Sequence, residues 1–274
     1  MRERMTGLLL AFPAIATIAL LYLMPLVASM TGAFETENGF GLGNFVKSTE
    51  LYTTDIIYTL MIVSLSTLII AGLSIAIAGY LTLGENPKAV AILRWLYRWP
   101  LFIPFIVVGQ VLRTFLAKNG LMNNLLVAGG ILTPLQTVSF LDWRGIVIAF
   151  VWKQTPSVTL LVAGAMASID RGTIEAARNL GASRLRILIE IVVPQVRTTL
   201  LVGMVLSFVT MMSVLSVPLM ISAQSPTMIT ADIAFRINAY GDYGVANALG
   251  MISLAMTMAV AIVYLRLNLK EKAK

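Results

Sequence analysis

The residues that could do chemistry in this chain are few, and their types argue against catalysis. Neither histidine nor cysteine occurs in the 274 residues. The chain therefore lacks the usual general base near neutral pH, the thiolate nucleophile and any disulfide. It also lacks the G-x-x-x-x-G-K-[ST] loop that binds nucleotide phosphates. We expect a protein that is not an enzyme, holds no metal and binds no cofactor itself.

One polar, basic stretch, residues 175–194, lies between two strongly apolar segments and reads as helix rather than loop. Its first residues are good helix formers. Asp170 and Thr173 are candidate N-caps, and Glu175 would lie in the first turn, where a carboxylate suits the helix dipole. Gly181 allows a sharp bend after this helix.

A second short helix is expected after the bend, with Ser183 as its cap and Pro194 as the residue that breaks or kinks the chain. Its apolar face would carry Leu185, Leu188, Ile189 and Val192, and its basic face Arg184 and Arg186. The predicted element is a helix–glycine–helix on the membrane surface, shaped to contact another molecule.

The spacing of this stretch resembles a known motif. Glu-Ala-Ala, three residues, Gly, nine residues and Ile-x-Val-Pro is similar to the EAA loop in permease subunits of bacterial ABC importers of the type I fold. The matching positions are Glu175, Ala176, Ala177, Gly181, Ile191 and Pro194. The family often has a second proline four residues later, where this chain has Thr198. An amphipathic interfacial helix without a partner is the alternative interpretation.

Composition indicates an integral membrane protein, because 58% of the residues are hydrophobic and only 12% are charged, against about 25% charged in soluble domains. Apolar runs predict an all-α protein with six transmembrane helices. We place the spans at residues 8–30, 56–83, 100–116, 145–169, 198–221 and 245–267. Residues 31–55 and 117–143 are expected to be loops, and the apolar run 121–131 is too short to cross.

Basic residues set the predicted orientation. With the N-terminus inside, fourteen Lys and Arg lie in cytoplasmic segments and four on the opposite side, a clear positive-inside bias. Both termini and the loop at 170–197 are then cytoplasmic. The sequence predicts one transmembrane domain over 1–274, in a bacterial inner membrane.

A few polar residues lie within the predicted spans and are candidates for a solute path. Lys153, Gln154 and Pro156 lie inside the fourth span, and Ser213 and Ser216 inside the fifth. A lysine in a membrane usually faces a partner or a wet cavity. Pairing within the bundle or snorkelling explains Lys153 equally well, and snorkelling is our expectation for Arg113.

The resemblance implies an architecture and partners. Two six-span subunits, identical or related, would enclose a path above two ATPase subunits that bind ATP and Mg²⁺, and a soluble binding protein would deliver the solute. Residues 173–193 would act as the coupling helix. Within this helix Gly181 would permit the bend, and Ala176 and Ala177 would allow close docking. Glu175 would cap the helix or pair with a basic group. Arg178, Arg184 and Arg186 would meet acidic partner groups or lipid.

The sequence constrains the identity of the solute less than it constrains the fold. The run from Ala177 to Ser183 is similar to permeases for polyamines, phosphonates and iron, whereas sugar permeases tend to carry Asp-Gly-Ala where this chain has Leu180-Gly181-Ala182. This favours a polyamine. No acidic residue is expected within a span, which leaves a sugar or an anionic solute open. A secondary transporter or a membrane enzyme is less favoured, because no buried Asp, Glu or His and no catalytic constellation is evident.

Overall fold

The computed structural model describes residues 12–36, 39–222 and 224–272, and these are almost entirely helical. Five described helices are long and apolar enough to cross a membrane, and a bent helix pair makes a sixth if it counts as one span. The prediction of an all-α polytopic protein is confirmed. The helices are α1 (Phe12–Phe34), α2 (Gly43–Leu83), α3 (Pro87–Leu96), α4 (Phe105–Leu116), α5 (Leu121–Ala128), α6 (Trp143–Ala167), α7 (Arg171–Asn179), α8 (Arg184–Ser213), α9 (Ser216–Ile221), α10 (Ile229–Phe235) and α11 (Tyr243–Lys272).

The predicted loop at 31–55 is wrong for most of its length. Helix α1 continues to Phe34, and a short antiparallel hairpin of β1 (Glu35–Thr36) and β2 (Gly39–Phe40) follows. Helix α2 begins at Gly43, thirteen residues before the predicted span, and its 41 residues extend roughly 60 Å. The hydroxyls of its polar first turns are satisfied within the helix, since Ser48 Oγ donates to the Asn44 carbonyl at 2.7 Å. Residues 8–11 of the predicted first span lie outside the described residues.

The predicted third span at 100–116 is interrupted near Pro104, which the prediction already placed inside it. Residues Pro87–Phe102 and Phe105–Ala128 form a pair bent by 106°. Pro104 causes this geometry, since it has extended backbone (φ −60°, ψ 149°) and stands at the N-cap of α4. A proline favours the start of a helix, where its missing N–H is not needed. Helix α4 has 12 residues, about 18 Å, and the predicted non-crossing run that follows contains the short helix α5.

Helix α6 closely matches the predicted fourth span. Asp142 accepts a hydrogen bond from the Arg144 backbone N–H at 2.9 Å and caps the helix. The side-chain hydrogen bond from Arg144 holds the pKa of Asp142 below its usual value. Pro156 lies inside α6, which remains helical on both sides of it.

Both ends of the predicted fifth span, 198–221, differ from the ends of the helix that the structure shows there. Helix α8 begins at Arg184, passes through Pro194 without a break, and ends at Ser213. A π turn at Leu188–Val192 precedes the proline; this wider turn lets the chain stay helical where Pro194 supplies no N–H. The extended backbone at Val214 (φ −79°, ψ 118°) then separates α8 from α9. The last helix, α11, covers the sixth predicted span.

The chain divides into two compact units. The first comprises Met1–Thr54 and Asp232–Ala255 and is held by polar contacts. Lys47 Nζ lies 2.8 Å from Asp242 Oδ2, and Arg236 Nε donates to the Tyr52 hydroxyl at 2.5 Å. Partial burial of the Asp242 carboxyl raises its pKa, but the hydrogen bonds from Lys47 and the Val245 N–H and the charges of Lys47 and Arg236 together keep the pKa of Asp242 below its usual value.

The second unit, Asp55–Ala231 with Met256–Lys274, contains the main apolar core. Phe150, Met166 and Ile187 are among its largest fully buried side chains. Helices α6 and α8 approach closely at Gly203, where an added Cβ would lie 3.0 Å from Val158 Cγ1. Small residues allow such close helix contacts in membranes. This core supports the polar stretch that the sequence singled out.

Candidate functional site

Residues 170–194, which we call the EAA segment, begin with a well-capped helix. Asp170 accepts hydrogen bonds from the backbone N–H groups of Gly172 (3.2 Å) and Thr173 (3.1 Å). Of the two predicted candidates, the N-cap is therefore Asp170 and not Thr173. Glu175 is the fifth residue of α7, and the prediction that it lies in the first turn is wrong. Its exposed carboxylate makes no hydrogen bond or ion pair to any other described residue.

The bend predicted at Gly181 is present. Gly181 has φ +81°, the left-handed region that only glycine adopts without strain. The Ala182 N–H donates to the Ala177 carbonyl at 3.0 Å and the Gly181 N–H to the Arg178 carbonyl at 2.9 Å. This pair of bonds is a Schellman motif, which closes a helix end and reverses the chain.

The helix after the bend is capped as predicted but presents a different face. Ser183 Oγ accepts from the Arg186 backbone N–H at 3.3 Å. Val192 is fully buried, whereas Leu185 and Ile189 are 66% and 57% exposed, so half of the predicted apolar face points outward. The buried face instead includes Ile187, which is fully buried, and Leu188 and Ile191, which pack against the core, so the helix is rotated about its axis relative to the prediction.

The EAA segment is fastened to the end of helix α2. Arg178 Nη2 donates to the Leu83 carbonyl at 3.3 Å, and Arg184 forms an ion pair with Glu85. A third contact is apolar: a Cβ added at Gly79 would lie 2.8 Å from the Leu188 methyl carbons. Arg178 and Arg184 therefore contact this chain's own groups, and the expectation that they also meet acidic partner groups or lipid stays a prediction.

The remaining arginine of that expectation, Arg186, also pairs locally. Its Nε lies 2.9 Å from Glu190 Oε2 within the same helix. Both side chains are largely exposed, and such pairs contribute little to stability, of the order of 0.3–0.5 kcal/mol.

An apolar tip on the EAA segment is a feature that sequence reasoning missed. Leu180, just before the bend, is 89% exposed. Ala176 on the preceding turn is also exposed, whereas Ala177 packs partly against the core. Of the other motif positions, Ile191 packs partly against the core and Pro194 is exposed.

Lys153 binds backbone carbonyls in the second unit. Its Nζ donates to the carbonyls of Pro100 (2.8 Å) and Leu101 (3.0 Å) and lies 5.6 Å from the ring centre of Phe105. The ammonium thus satisfies carbonyls at the bend before α4, where regular helical bonds are missing. Arg113 similarly donates to the Met220 carbonyl at 3.1 Å. The assignment of Lys153 to a solute path stays a prediction.

The other path candidates are not joined into one site by any hydrogen bond between described residues. Gln154 is buried, and its Nε2 finds no partner in the described part of the chain. Pro156 is buried inside α6. Ser213 is exposed and bonds back to the Val209 carbonyl at 2.9 Å, while Ser216 begins α9 and is half-buried. Their path role also stays a prediction.

A buried carboxylate lies one residue before the predicted second span, and the expectation of no acidic residue within a span stays a prediction. Because α2 begins at Gly43, Asp55 lies inside this helix and is only 4% exposed. Its Oδ1 accepts the Thr227 backbone N–H at 2.5 Å, so its charge is used to hold the segment before α10.

Comparison with known proteins gives a family match over most of the chain. Residues 56–270 match the family described as "Binding-protein-dependent transport system inner membrane component". The matched region includes the whole EAA segment.

The curated relatives are named for several different solutes. The chain is 27% identical to the trehalose/maltose transport system permease protein MalF of Thermococcus litoralis, over 97% of this chain and 95% of that one. It is 24% identical to the sulfoquinovosyl glycerol permease SmoG of Agrobacterium fabrum, over 70% and 67%. It is 27% identical to the spermidine/putrescine permease PotB of Salmonella typhimurium, over 61% and 58%.

Solved structures agree on the fold. A chain of a bacterial alginate ABC transporter, in complex with an alginate-bound periplasmic protein, superposes with a TM-score of 0.81 at 21% identity. The match covers 96% of this chain and 93% of that one.

Proposed function

The chain belongs to the family of binding-protein-dependent transport system inner membrane components, so it is a permease of an ABC importer, and we propose that its solute is a saccharide. The observation that carries the proposal is the alignment with a trehalose/maltose permease over nearly the whole length of both chains. The resemblance to a polyamine permease covers a smaller share of each chain. Coverage therefore reverses the order that the EAA segment alone suggested.

A polyamine is the second candidate. The run Ala177-Arg178-Asn179-Leu180-Gly181-Ala182 favours it, because sugar permeases of this fold tend to carry Asp before the glycine. The charged groups of the second unit do not add support. The carboxylate of Asp55 accepts the Thr227 backbone N–H, so it offers no open site to a cation, and the ammonium of Lys153 would repel one.

In the proposed mechanism the EAA segment is the coupling helix, seated in a groove of an ATPase subunit that binds ATP and Mg²⁺. The exposed tip at Leu180 would enter that groove, where burial of its apolar side chain would contribute to binding. The three attachments to α2 would pass the movement of the segment to a transmembrane helix. The positive-inside count supports a cytoplasmic position for this segment and for both termini.

The proposed assembly contains two ATPase subunits, a second permease that is related or identical, and a soluble binding protein. Mass spectrometry of the material that co-purifies from native membranes in mild detergent tests this composition. Two ATPase chains and a second six-span chain are expected. A chain that purifies alone in several detergents would contradict the proposed assembly.

Uptake by the reconstituted complex tests the solute. Proteoliposomes holding the complex and its binding protein are offered radiolabelled maltose, trehalose, spermidine or 2-aminoethylphosphonate with ATP inside. ATP-dependent uptake of a saccharide supports the proposal. Uptake of spermidine alone would replace it with the second candidate, and uptake of the phosphonate alone would exclude both.

A further inference from the structure

A polar cavity lies beside the EAA segment, and the proposed coupling role does not use it. It has a volume of about 570 Å³ and is bounded by the end of α2, helix α3, the end of α6 and the inner side of α7. Four arginines line it: Arg94, Arg98, Arg171 and Arg178.

The charge of this cavity is positive. Two carboxylates, Glu85 and Glu175, also line it. Glu85 is already paired with Arg184, whereas Arg94 and Arg171 make no ion pair or hydrogen bond to any described residue. Several guanidinium groups converging on one space, with too few carboxylates to neutralise them, suit an anion with multiple oxygens, such as a phosphate group.

Helix α3 presents an exposed apolar face beside the cavity. Its N-cap Asn86 accepts from the backbone N–H groups of Lys88 (3.0 Å) and Ala89 (3.2 Å), which fixes the start of the helix. Ile92, Trp95 and Leu96 are 63%, 59% and 56% exposed, at the i, i+3, i+4 spacing of one helix face.

An aromatic pair extends this exposed face beyond the helix. Trp99 is 56% exposed, and its ring centre lies 4.7 Å from that of Trp95, edge to face. Exposed tryptophans beside arginines are typical of helices lying at the membrane interface, with the rings at headgroup level. Arg94 and Arg98, four residues apart, line the cavity next to this face.

We propose that the cavity binds the phosphate of an anionic phospholipid headgroup, with the acyl chains running past the exposed face of α3. The bound lipid would bridge α3 to α7, because Arg94 and Arg98 come from the first of these regions and Arg171 and Arg178 from the second. Anionic lipid would then hold the EAA segment in position. This inference uses the proposed cytoplasmic side of the segment, where anionic headgroups attract basic residues, but not the identity of the solute.

Native mass spectrometry of the complex purified from its own membranes tests the site. The probes are phosphatidylglycerol and phosphatidylcholine of matched acyl chains, each titrated into the delipidated complex. The double variant Arg94→Gln/Arg98→Gln is expected to weaken phosphatidylglycerol binding roughly 30-fold, as for the loss of two basic groups near a membrane surface. Lys88→Gln is the matched control, since it removes a charge from α3 outside the cavity. Arg94→Lys/Arg98→Lys should retain most of the binding.

Equal affinity for the two lipids, or an equal loss in Lys88→Gln, would overturn the proposal. Binding of inorganic phosphate alone without preference for phosphatidylglycerol would assign the cavity to a free anion instead. A guanidine-reactive reagent tests for a protein partner in phosphatidylcholine alone. If the ATPase subunit protects Arg94 and Arg98 from this reagent, the cavity would be assigned to a protein partner instead. Because lipid binding is read without transport, failure of the proposed solute would leave this result intact.

Discussion

Leu188 packs directly on the backbone of helix α2 at Gly79, so closely that a Cβ at position 79 would lie 2.8 Å from both Leu188 methyl carbons. The EAA segment and the end of a 41-residue helix thus share one apolar contact, four residues before the hydrogen bond from Arg178 to Leu83. A displacement of the segment must therefore act on α2.

A large residue at this contact should separate the two elements. Gly79→Leu is expected to lower the apparent melting temperature of the complex and its uptake, since overpacking of a tight contact costs about 1–3 kcal/mol. Leu188→Ala should restore part of both in the double variant. Gly72→Leu is the control, because a Cβ at Gly72 meets nothing within 4 Å. Equal damage from both leucines would mean that the Leu188 contact is unimportant.

The bend in the EAA segment depends on one backbone angle. Gly181→Val should uncouple transport from ATP hydrolysis while membrane insertion stays intact. A Cβ at Gly181 meets no neighbour within 4 Å, so the whole effect should come from the φ of +81°, which costs an L-residue about 1–2 kcal/mol and a β-branched one more. Gly181→Asn is the matched variant, since asparagine tolerates this region better. Normal uptake by Gly181→Val would contradict the coupling role.

The exposed tip of the segment should matter for partner binding and not for the fold. Leu180→Ser is expected to leave the melting temperature of the isolated permease nearly unchanged, within about 0.5 kcal/mol. It should weaken ATPase binding by roughly tenfold or more, as for an apolar hot spot. Leu135, which is 96% exposed on the loop before α6, provides the control Leu135→Ser. Co-purified ATPase per permease is the measurement, and equal yields from both variants would exclude Leu180 from the interface.

Local signals made the EAA segment predictable. Asp170, Gly181 and Ser183 act within two or three residues of their own positions, so caps and bend could be read directly from the sequence. The positions that failed carry signals that a search for apolar runs does not detect. The start of α2 is polar and nevertheless helical. The break after Ser213 lies inside an apolar run, and Pro218 stands in the first turn of the helix that follows it. The exposure of Leu180 depends on how the helix end packs, which hydrophobicity does not indicate.

Lys153 should stabilise the bend between α3 and α4. Lys153→Met conserves side-chain volume but removes two charged hydrogen bonds to the Pro100 and Leu101 carbonyls, each worth about 1.5–3 kcal/mol. We expect a clear fall in the melting temperature of the complex. Gln154→Met is the control on the same helix and should be neutral or stabilising, because Gln154 Nε2 has no partner in the described residues. A stable Lys153→Met complex that no longer transports would favour the solute-path role instead.

The buried carboxylate of Asp55 should hold the segment that leads into α10. Its Oδ1 accepts the Thr227 N–H at 2.5 Å, and one turn later Thr59 Oγ1 accepts the Ile229 N–H at 2.9 Å. Asp55→Ala leaves the Thr227 donor buried without its partner, at a cost of about 1–3 kcal/mol, whereas Asp55→Asn keeps an acceptor oxygen. Hydrogen exchange at residues 224–231 should therefore accelerate strongly in the alanine variant and less in the asparagine variant. Equal acceleration in both would show that the charge, and not the hydrogen bond, is what the segment requires.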